Sequence, residues 1–418
     1  MTGPQAFVYI HLGGVDHPVG TLWAAERPGR SSFTFQYADA WAKNPVAFEI
    51  DPGLPLVGGR KAVATRMFGG LADSAPDRWG RTLLARAERL VARRAGRAVR
   101  SLTELDYVLG VADIARPGAL RFAAFEGGPF LAQPEADAVP PLVELPRLLA
   151  AAQGFLDDPD NEEDLRILLA PGSSLGGARP KASVRHGDGR LFIAKFPKND
   201  DVYSAGAWEH LTLEMARDAA IRTTDSDLLS IGGWDVVLLP RFDRAYEARI
   251  PLLSAMAMLG AAPQEAHSYL EIAEAIQRYG AHPREDLVEL WRRMAFGVLV
   301  TNTDDHLRNH AFLHEGPRGW VLSPAYDLNP TPAEIKARVL ATALGEDPHD
   351  TTASLELALD VATYFDLEPD AARDIVRQVA AVTRTWAARA KAAGRPGQEL
   401  ELMASAFEHE DLDFALSL

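Results

Sequence analysis

Residues 301–313 read TNTDDHLRNHAFL, and they follow the strongly apolar stretch ELWRRMAFGVLV at 289–300. A buried helix that runs directly into a loop of Asp, Asn and His indicates polar side chains held in a cleft. Asp304 and Asn309 stand five positions apart in this loop, and Asp327 follows a short predicted hairpin, within AYDLNP. Carboxylate and amide oxygens suit Mg²⁺, a hard cation that takes few protein ligands.

Phosphoryl transfer needs this combination of side chains. One Asp orients the acceptor hydroxyl, while an Asn and a second Asp hold metal on the phosphates. Asp304 is therefore the predicted catalytic residue, and Asn309 and Asp327 are the predicted metal ligands. A plainer interpretation is that Asp304 and Asp305 cap a helix and Asn309 forms a turn, and this segment alone leaves that alternative open.

Two earlier segments suit the phosphates of a nucleotide. PGSSLGGARPK at 171–181 is a glycine-rich turn whose backbone N–H groups can approach an anion closely, although an ordinary turn is the better interpretation in isolation. Lys195 lies in the apolar run FIAKFP, where burial of an isolated ammonium would be costly. A phosphate or the carboxylate of Glu209 would explain it, but a strand-edge lysine facing water is the commoner case.

The order of these segments is more specific than any one of them. VVLLPRFDR at 236–244 is a strand with a polar corner, as in a hinge that offers backbone groups to an adenine ring. The chain thus presents a glycine-rich loop, a lysine on a strand, a helix glutamate, a hinge, an Asp-x₄-Asn loop and a later Asp. Protein kinases present their parts in this order. The expected cofactors are ATP and Mg²⁺.

Composition narrows the class of protein. The 418 residues are 47% hydrophobic and 24% charged, which is typical of a globular chain of two or three domains. The net charge of -15 disfavours broad binding to nucleic-acid backbones. The absence of cysteine excludes disulfides and thiolate metal sites. No apolar stretch reaches the ~20 residues of a membrane span and the first residues lack a signal-peptide pattern, so we expect a cytoplasmic protein without membrane contact.

Periodicity gives a coarse secondary structure. A helix is predicted from Asp77 to a stop at Gly96, another over 204–219 and a third over 374–394, and a linker is predicted at 127–141. Strands are predicted at 7–12, 20–25, 33–37, 120–125, 165–170, 192–197 and 236–244.

These motifs resemble the HipA family, the kinase half of bacterial type II toxin–antitoxin modules, over nearly the whole chain. TDDHLRN resembles the family's catalytic loop T-D-x-H-x-x-N, and AYDLNP resembles its metal-binding segment. SSLGGARPK resembles its glycine-rich loop, and FIAKFP resembles the strand whose lysine contacts ATP phosphates. VGTLW at 19–23, GGLADSAPDRWG at 69–80 and the 106–123 segment resemble its first subdomain more loosely.

The resemblance implies an α+β, protein-kinase-related fold, with a mixed α/β N-terminal domain of two subdomains and a mainly helical C-terminal domain. The implied boundaries are 1–140, 141–240 for the ATP-binding part, and 241–418. Asp304 and His306 are the implied catalytic pair, with a hydrogen bond that holds the loop as the expected role of His306. The implied ATP-binding residues are Ser174, Gly176, Gly177, Lys181, Lys195, Glu209, Pro240 and Phe242.

Further expectations concern regulation and two departures from the family pattern. The resemblance implies autophosphorylation on the glycine-rich loop, at Ser174 or its neighbour Ser173. Pro240 stands at a hinge position where an acidic residue is expected, and it keeps a carbonyl but no N–H. Asp305 replaces a small residue, and its carboxylate either raises the pKa of Asp304 or points to solvent.

The implied partners are a small HipB-like helix-turn-helix antitoxin and a translation-related protein substrate, with an aminoacyl-tRNA synthetase as the expected example. DNA contact is then mainly the antitoxin's, and the arginine-rich segment between Arg78 and Arg100 is best interpreted as a solvated helix face. Three alternatives remain open: a small-molecule kinase, an inactive pseudokinase that acts as a binder, and a metal-dependent hydrolase built on the Asp and His residues of 304–310.

Overall fold

The described chain contains runs of strands and runs of helices, and its last part, from residue 355 onward, is helical, as expected for the predicted α+β fold. The computed structural model describes residues 5–27, 30–64, 66–132, 139–172 and 177–418. The chain divides into two compact units, each discontinuous in sequence. Unit 1 is Met1–Asp200 with Leu229–Ala261, and unit 2 is Asp201–Leu228 with Ala262–Leu418.

Unit 1 begins with an antiparallel five-stranded sheet of order β4-β3-β2-β1-β5. Side chains alternate along β1, so that Ala6, Val8 and Ile10 enter a core with Phe33 and Phe35. The strands predicted at 7–12, 20–25 and 33–37 are confirmed. The elements are β1 (Gln5–Leu12), β2 (Val15–Arg27), β3 (Arg30–Tyr37), α1 (Asp39–Ala42), β4 (Lys61–Ala64), α2 (Gly69–Ala72), α3 (Arg78–Arg94), α4 (Glu104–Gly110) and β5 (Leu120–Ala123).

A second sheet, of order β6-β7-β9-β8, follows in the chain. Trp79 of α3 and Phe155 of α5 pack edge to face in the core that this sheet shares with α3, α5 and α6. The elements are the 3-10 helix Leu142–Glu144, α5 (Leu145–Asp157), α6 (Glu162–Leu169), β6 (Lys181–Arg185), β7 (Leu191–Lys195), β8 (Asp227–Ile231), β9 (Trp234–Pro240), β10 (Arg244–Ala245), β11 (Ala248–Arg249), β12 (Leu252–Ser254) and α8 (Ala255–Met258).

The strand predicted at 165–170 is wrong, because this segment lies mainly in α6. Asn161 caps the helix by accepting from the N–H groups of Glu163 and Asp164. Leu165 and Leu168, three positions apart, are buried, as on one face of a helix. The apolar run alone suggested a strand, and the decisive signal was the cap with its acidic first turn.

The helix predicted from Asp77 to Gly96 is confirmed as α3, with Asp77 as its N-cap and Gly96 at φ +60° after its end. Five of the eight arginines between Arg78 and Arg100 form ion pairs with carboxylates of unit 1. This pattern supports the interpretation of the arginine-rich segment as a solvated helix face, whose charges pair with neighbouring carboxylates. The pairs are Arg81–Glu104, Arg86–Asp160, Arg94–Glu162, Arg97–Glu88 and Arg100–Asp106.

Unit 2 is mainly helical and packs around the buried α10. The Trp291 indole of α10 is fully buried and donates to the carbonyl of Ala358 at 3.1 Å. The elements are α7 (Ala205–Asp218), α9 (Tyr269–Tyr279), α10 (Pro283–Leu299), β13 (Ala311–His314), the 3-10 helix Gly316–Arg318, β14 (Trp320–Leu322), α11 (Leu355–Asp360), the 3-10 helix Ala362–Phe365, α12 (Pro369–Thr383), α13 (Trp386–Ala392), α14 (Gly397–Phe407) and α15 (Glu410–Ser417).

The single helix predicted over 374–394 is broken into α12 and α13. The hydroxyls of Thr383 and Thr385 donate back to the carbonyls of Val379 and Val382, a contact that competes with helix continuation. Trp386 then stacks on Phe407 with ring centroids 4.9 Å apart. Within the described ranges, no helix combines the length and the apolar character that a bilayer crossing requires.

Candidate active site

The loop 301–310 leaves α10 through a sharp backbone turn. Thr301 adopts a left-handed φ of +52°, and the N–H of Asn302 donates to the carbonyl of Gly297. The Thr301 hydroxyl donates to the carbonyl of Ala406 at 2.7 Å, which anchors the turn on α14. The loop therefore starts from a fixed point on buried helices, as a positioned set of functional side chains requires.

Asp304 and Asn309 lie at the two ends of one closed loop. The Nδ2 group of Asn309 donates to the backbone carbonyl of Asp304 at 3.0 Å, and the Asn309 N–H donates to the carbonyl of His306. Asp304 is exposed, whereas Asn309 is buried. The Asn309 side chain thus bonds to the Asp304 backbone and brings the two predicted residues together. The Asp304 side chain stays accessible to solvent.

The Oδ1 atom of Asn309 is buried and accepts no hydrogen bond from any residue that the structure describes. A buried acceptor without a partner costs about 1–3 kcal/mol, so native proteins seldom keep one without a ligand, ion or water. An amide oxygen held in place by its own Nδ2 group is a suitable ligand for Mg²⁺. The chemistry of this atom therefore fits the predicted cation.

Asp327 lies on a strained segment next to this loop. Its φ is +59°, which is unusual for a residue other than glycine, and its Oδ1 atom accepts from Asn329 Nδ2 at 2.9 Å. Three hydrogen bonds join its segment to the loop 301–310: Asn329 N–H to Asn302 Oδ1, Thr331 N–H to the Thr301 carbonyl, and the Tyr326 hydroxyl to the Arg308 carbonyl.

These contacts show that the segment of Asp327 is hydrogen-bonded to the loop of Asp304 and Asn309 and is held in a fixed position beside it. Asn302 and Asn329 were missed as supporting residues, although both were visible within TNTDD and AYDLNP. Lys336, whose ammonium donates to the carbonyl of Thr303 at 3.1 Å, was also missed. No single-sequence signal links a lysine in an irregular segment to a loop more than 30 residues earlier.

Asp305 does not point to solvent, and the corresponding expectation is wrong. Its side chain is buried, accepts a hydrogen bond from the Tyr269 hydroxyl and lies 3.2 Å from Nε2 of His310. Burial raises the pKa of the Asp305 carboxyl, but His310 and Tyr269 lower it more, so its pKa lies below the ordinary value. Asp305 is therefore turned into the interior, away from the exposed Asp304.

His306 lies between the two predicted functional residues. Its N–H donates to the Asp304 carbonyl at 2.9 Å, which tightens the loop. Its Nδ1 atom is buried and makes no hydrogen bond with the described part of the chain. The loop is thus held by the backbone of His306 and by the Asn309 side chain, while a catalytic or loop-holding role of the His306 ring stays a prediction.

The predicted ATP-binding residues of unit 1 lie on adjacent strands. Lys195 ends β7 and faces Lys181 of β6 directly in the antiparallel register. Pro240 ends β9 opposite Phe192, and the next N–H, of Arg241, donates to the Leu191 carbonyl. Ser173, Ser174 and Gly176 lie outside the described residues; Gly177 is described, exposed and at φ +61°.

The corner that contains Phe242 is anchored by buried ion pairs. Asp243 accepts from Arg241 at 2.6 Å and from Arg244 at 2.8 Å, and also from the N–H of Gly118. Burial raises the pKa of the Asp243 carboxyl, but the two arginines outweigh it and hold the pKa below its usual range. The backbone that follows the predicted hinge around Pro240 and Phe242 is therefore held by buried ion pairs.

The remaining predicted ATP-binding residue, Glu209, is a buried residue of α7, in unit 2.

Lys181 is almost fully buried, and its ammonium donates to Asp77 Oδ2 at 2.8 Å and to the Gly177 carbonyl at 3.4 Å. Burial raises the pKa of the Asp77 carboxyl, although Lys181 lowers it. Desolvation thus outweighs the attraction, as is common for buried pairs. Because 104 positions separate the two residues, sequence reasoning missed this contact.

This buried pair gives a stability prediction. Asp77→Asn keeps the helix cap but leaves the Lys181 ammonium buried without a counter-charge, so the free energy of unfolding should fall by about 3 kcal/mol. The double variant Asp77→Asn/Lys181→Met should lose less than the sum of the single variants. Urea unfolding of each variant measures these changes.

The matched control for this pair is Asp370→Asn, which removes an exposed carboxylate from its 2.8 Å pair with Arg373. Its effect should stay within about 0.5 kcal/mol. Equal effects of Asp77→Asn and Asp370→Asn would contradict a structural role of the buried pair.

The hydrolase alternative finds no support in the structure. Across the described ranges, no group of three or more His, Cys, Asp or Glu side chains is arranged to hold a metal ion. Asp305 and His310 face each other in the interior, whereas Asp304 is exposed. The acidic and histidine side chains of the loop therefore do not converge on one centre.

Comparisons with known proteins agree with these features. A family model described as the HipA-like C-terminal domain matches residues 173–386. A Haemophilus influenzae protein described as a candidate kinase is 23% identical over 199 residues, which are 41% of this chain. The chain spans 58% of the length of that curated relative.

A solved structure also resembles this chain over almost its whole length. It is HipA of Shewanella oneidensis MR-1, determined as a complex with HipB and its operator DNA. The likeness covers 98% of this chain and 96% of that chain, with a TM-score of 0.65 and 16% sequence identity. At this identity the likeness shows a shared fold, and it confirms the fold predicted from the sequence.

Proposed function

The chain belongs to the HipA family, and from this membership we propose that it is a kinase that transfers the γ-phosphoryl group of ATP, with Mg²⁺, to a serine or threonine hydroxyl of a protein. The observation that carries the proposal is the Oδ1 atom of Asn309, which has no hydrogen-bond partner in the described part of the chain, in a loop that also exposes Asp304. The relative described as a candidate kinase supports the same reaction class.

In the proposed reaction, each residue has one task. The exposed Asp304 carboxylate accepts a hydrogen bond from the acceptor hydroxyl and aims its oxygen at the γ-phosphorus. Asn309 Oδ1 and the Asp327 carboxylate hold the cation, and Lys195 binds the phosphates from β7. When bound, Mg²⁺ supplies charge neutralisation at the phosphate oxygens. Positioning and electrostatics dominate this chemistry, so a strongly basic side chain is unnecessary.

Unit 1 contributes the remaining proposed ATP contacts. The glycine-rich loop, with Ser174, Gly176 and Gly177, covers the phosphates, and the carbonyl of Pro240 and the N–H of Phe242 bind the adenine. Glu209, a residue of unit 2, is the proposed carboxylate partner of Lys195, because it falls where the helix glutamate of the family pairs with that lysine. With the proposed subdomain boundaries, 1–140, 141–240 and 241–418, these groups fall in the middle segment except for Phe242, which begins the last segment together with the proposed catalytic loop.

The proposed partners follow from the family and from the Shewanella oneidensis structure, which is a complex of HipA with HipB and operator DNA. A HipB-like helix-turn-helix protein acts as antitoxin and supplies most of the DNA contact. Several arginines of α3 and of the segment just after it already form ion pairs with carboxylates of this chain. This pairing supports the proposal that the antitoxin, rather than this chain, makes most of the DNA contact. The proposed substrate is a translation-related protein of the cytoplasm, such as an aminoacyl-tRNA synthetase.

The substrate class is tested by offering both kinds of acceptor to one enzyme sample. Labelled ATP is incubated with the purified chain and either a bacterial lysate or a panel of hydroxylated small molecules, including aminoglycosides. Phosphoserine or phosphothreonine on one lysate protein, located by mass spectrometry, is the expected result. Label confined to a small molecule would replace the proposal by a small-molecule kinase.

Phosphorylation of Ser174 should switch the enzyme off. A phosphate adds about -1.5 to -2 charge at the place where the ATP phosphates bind, and like charges repel. Ser174→Asp should therefore lower ATP turnover, mainly through weaker ATP binding, whereas Ser174→Ala keeps most activity. Steady-state kinetics of both variants measure the effect. Equal turnover by Ser174→Asp and wild type would contradict it, and the same assay on Ser173→Asp identifies which serine matters.

A further inference from the structure

Tyr269, Asp305 and His310 form a buried contact in unit 2 that the proposed chemistry does not use. The Tyr269 hydroxyl donates to Asp305 Oδ2, and His310 Nε2 lies 3.2 Å from the same oxygen. The rings of Tyr269 and His310 meet edge to face with centroids 5.4 Å apart. All three side chains are buried. We call this trio the loop clamp.

Two of the three clamp residues are direct neighbours in the sequence of the proposed functional residues. Asp305 directly follows the proposed catalytic Asp304, and His310 directly follows the proposed metal ligand Asn309. The contact between Asp305 and His310 therefore fixes both ends of the loop on its inner side. On the other side, the Asn309 side chain closes the same loop through the Asp304 carbonyl.

The clamp is attached to a well-supported part of unit 2. Tyr269 opens α9, whose N-cap Ser268 forms a capping box with Glu271, and its N–H donates to the Ala343 carbonyl at 2.9 Å. The neighbouring Thr342 hydroxyl donates to the carbonyl of Asp305 at 2.7 Å. Both the side chain and the backbone of Asp305 are thus held by groups outside the loop.

A buried carboxylate requires such partners. Burial of an unpaired carboxylate is costly, so the Tyr269 hydroxyl and the His310 ring must stay close to Asp305 in the native state. Neither ring nitrogen of His310 has a hydrogen-bond partner of good geometry among the residues that the structure describes, and Nε2 lies 3.2 Å from Asp305 Oδ2. The Asp305 carboxylate is therefore the charged group that orients the His310 ring in the described part of the chain.

We infer that Tyr269, Asp305 and His310 are positioning residues, which set the spacing between the Asp304 carboxylate and the Asn309 amide and so govern the rate of phosphoryl transfer. The inference rests on the proposed function for its kinetic consequence, but the clamp also has a structural consequence. If the clamp loosens, the loop hydrogen bonds from the His306 N–H to Asp304 and from the Asn309 N–H to His306 open more often.

The test compares the wild type with Tyr269→Phe, Asp305→Ala and Asp305→Asn. Tyr269→Phe removes one oxygen and keeps the ring, so it folds even if Asp305→Ala does not. Tyr37→Phe is the matched control, because the Tyr37 hydroxyl is also largely buried and donates to a carbonyl, that of Leu54, in unit 1. Two readouts are taken: kcat and KM for ATP, and hydrogen exchange of the amides of residues 306 and 309.

The expected result is a fall in kcat of roughly tenfold to a hundredfold for Tyr269→Phe and Asp305→Ala, since a misplacement of about 1 Å can cost that much. KM for ATP should change little, Asp305→Asn should recover part of the loss, and both amides should exchange faster. Tyr37→Phe should leave kcat and these amides unchanged. Unchanged kcat and exchange in Tyr269→Phe would overturn the inference.

The two proposals fail in distinguishable ways. If the wild type transfers no phosphate to any acceptor, the proposed function fails, and amide exchange alone decides on the clamp. Faster exchange in Tyr269→Phe but not in Tyr37→Phe then sustains the clamp, and equal exchange overturns it. If the wild type is active and only KM changes in the clamp variants, the clamp does not act on the transfer step, and the inference is overturned while the kinase stands.

Discussion

Replacement of Asp304 by Asn should lower the rate of phosphoryl transfer by roughly a thousandfold, within the range of about 10²–10⁴ attributed to proton transfer by a positioned side chain. Asn has the shape of Asp but no charge, so it neither accepts the hydroxyl proton nor orients the hydroxyl as strongly. Because Asp304 is exposed, the variant should fold normally, and ATP affinity should change little.

Single-turnover transfer and equilibrium ATP binding measure the two consequences of Asp304→Asn separately. Asp370→Asn serves as the control, because it removes the same charge from an exposed position on α12. A transfer rate within tenfold of the wild type would exclude Asp304 as the residue that orients the acceptor. If Asp304→Asn lost both ATP binding and phosphoryl transfer, Asp304 would instead be a residue that binds the nucleotide.

The second large effect concerns the proposed metal ligands. Asn309→Ala and Asp327→Ala should each weaken ATP binding at least about tenfold in the presence of Mg²⁺, because the cation joins the phosphates to the protein. With EDTA, the wild type and both variants should bind ATP equally weakly. The loss of the magnesium-dependent part of the affinity is the diagnostic result, and titration calorimetry with and without Mg²⁺ measures it.

Protein stability separates a metal role of Asn309 from a purely structural one. Asn309→Ala removes the hydrogen bond to the Asp304 carbonyl, worth about 1 kcal/mol, but it also removes a buried acceptor that has no partner among the described residues, which costs about 1–3 kcal/mol. The two effects offset each other, so the unfolding free energy should change little. A large loss of stability with unchanged magnesium dependence would assign Asn309 a structural role alone.

The sequence predicted what depends on local pattern. Strand-like composition between turn residues, with alternation at 33–37, predicted strands of the first sheet, and the helical pattern from Asp77 with the stop at Gly96 predicted α3. The loop of Asp304 and Asn309 followed from polar residues at the end of an apolar helix. Its connection to the segment of Asp327 was predicted from the side chains that phosphoryl transfer needs and from the resemblance, and the hydrogen bonds of Asn302 and Asn329 now give it a physical basis.

What the sequence did not predict depends on distant contacts. The Asp77–Lys181 pair joins residues 104 positions apart, and Tyr269 reaches Asp305 from 36 positions earlier. The orientation of the Asp305 side chain could not be predicted, because it depends on the buried partners Tyr269 and His310. The errors at 165–170 and 374–394 arose where side-chain hydrogen bonds, at Asn161 and at Thr383, overrode the apolar pattern.

Transfer of labelled γ-phosphate tests the central claim most directly. Wild type and Asp304→Asn are each incubated with Mg²⁺ and γ-labelled ATP in the presence of a bacterial lysate, and labelled proteins are identified by mass spectrometry. The account predicts label on a lysate protein, or on Ser173 or Ser174 of the chain itself, with wild type only. ATP binding without any label would indicate a pseudokinase, and absence of ATP binding would contradict the account entirely.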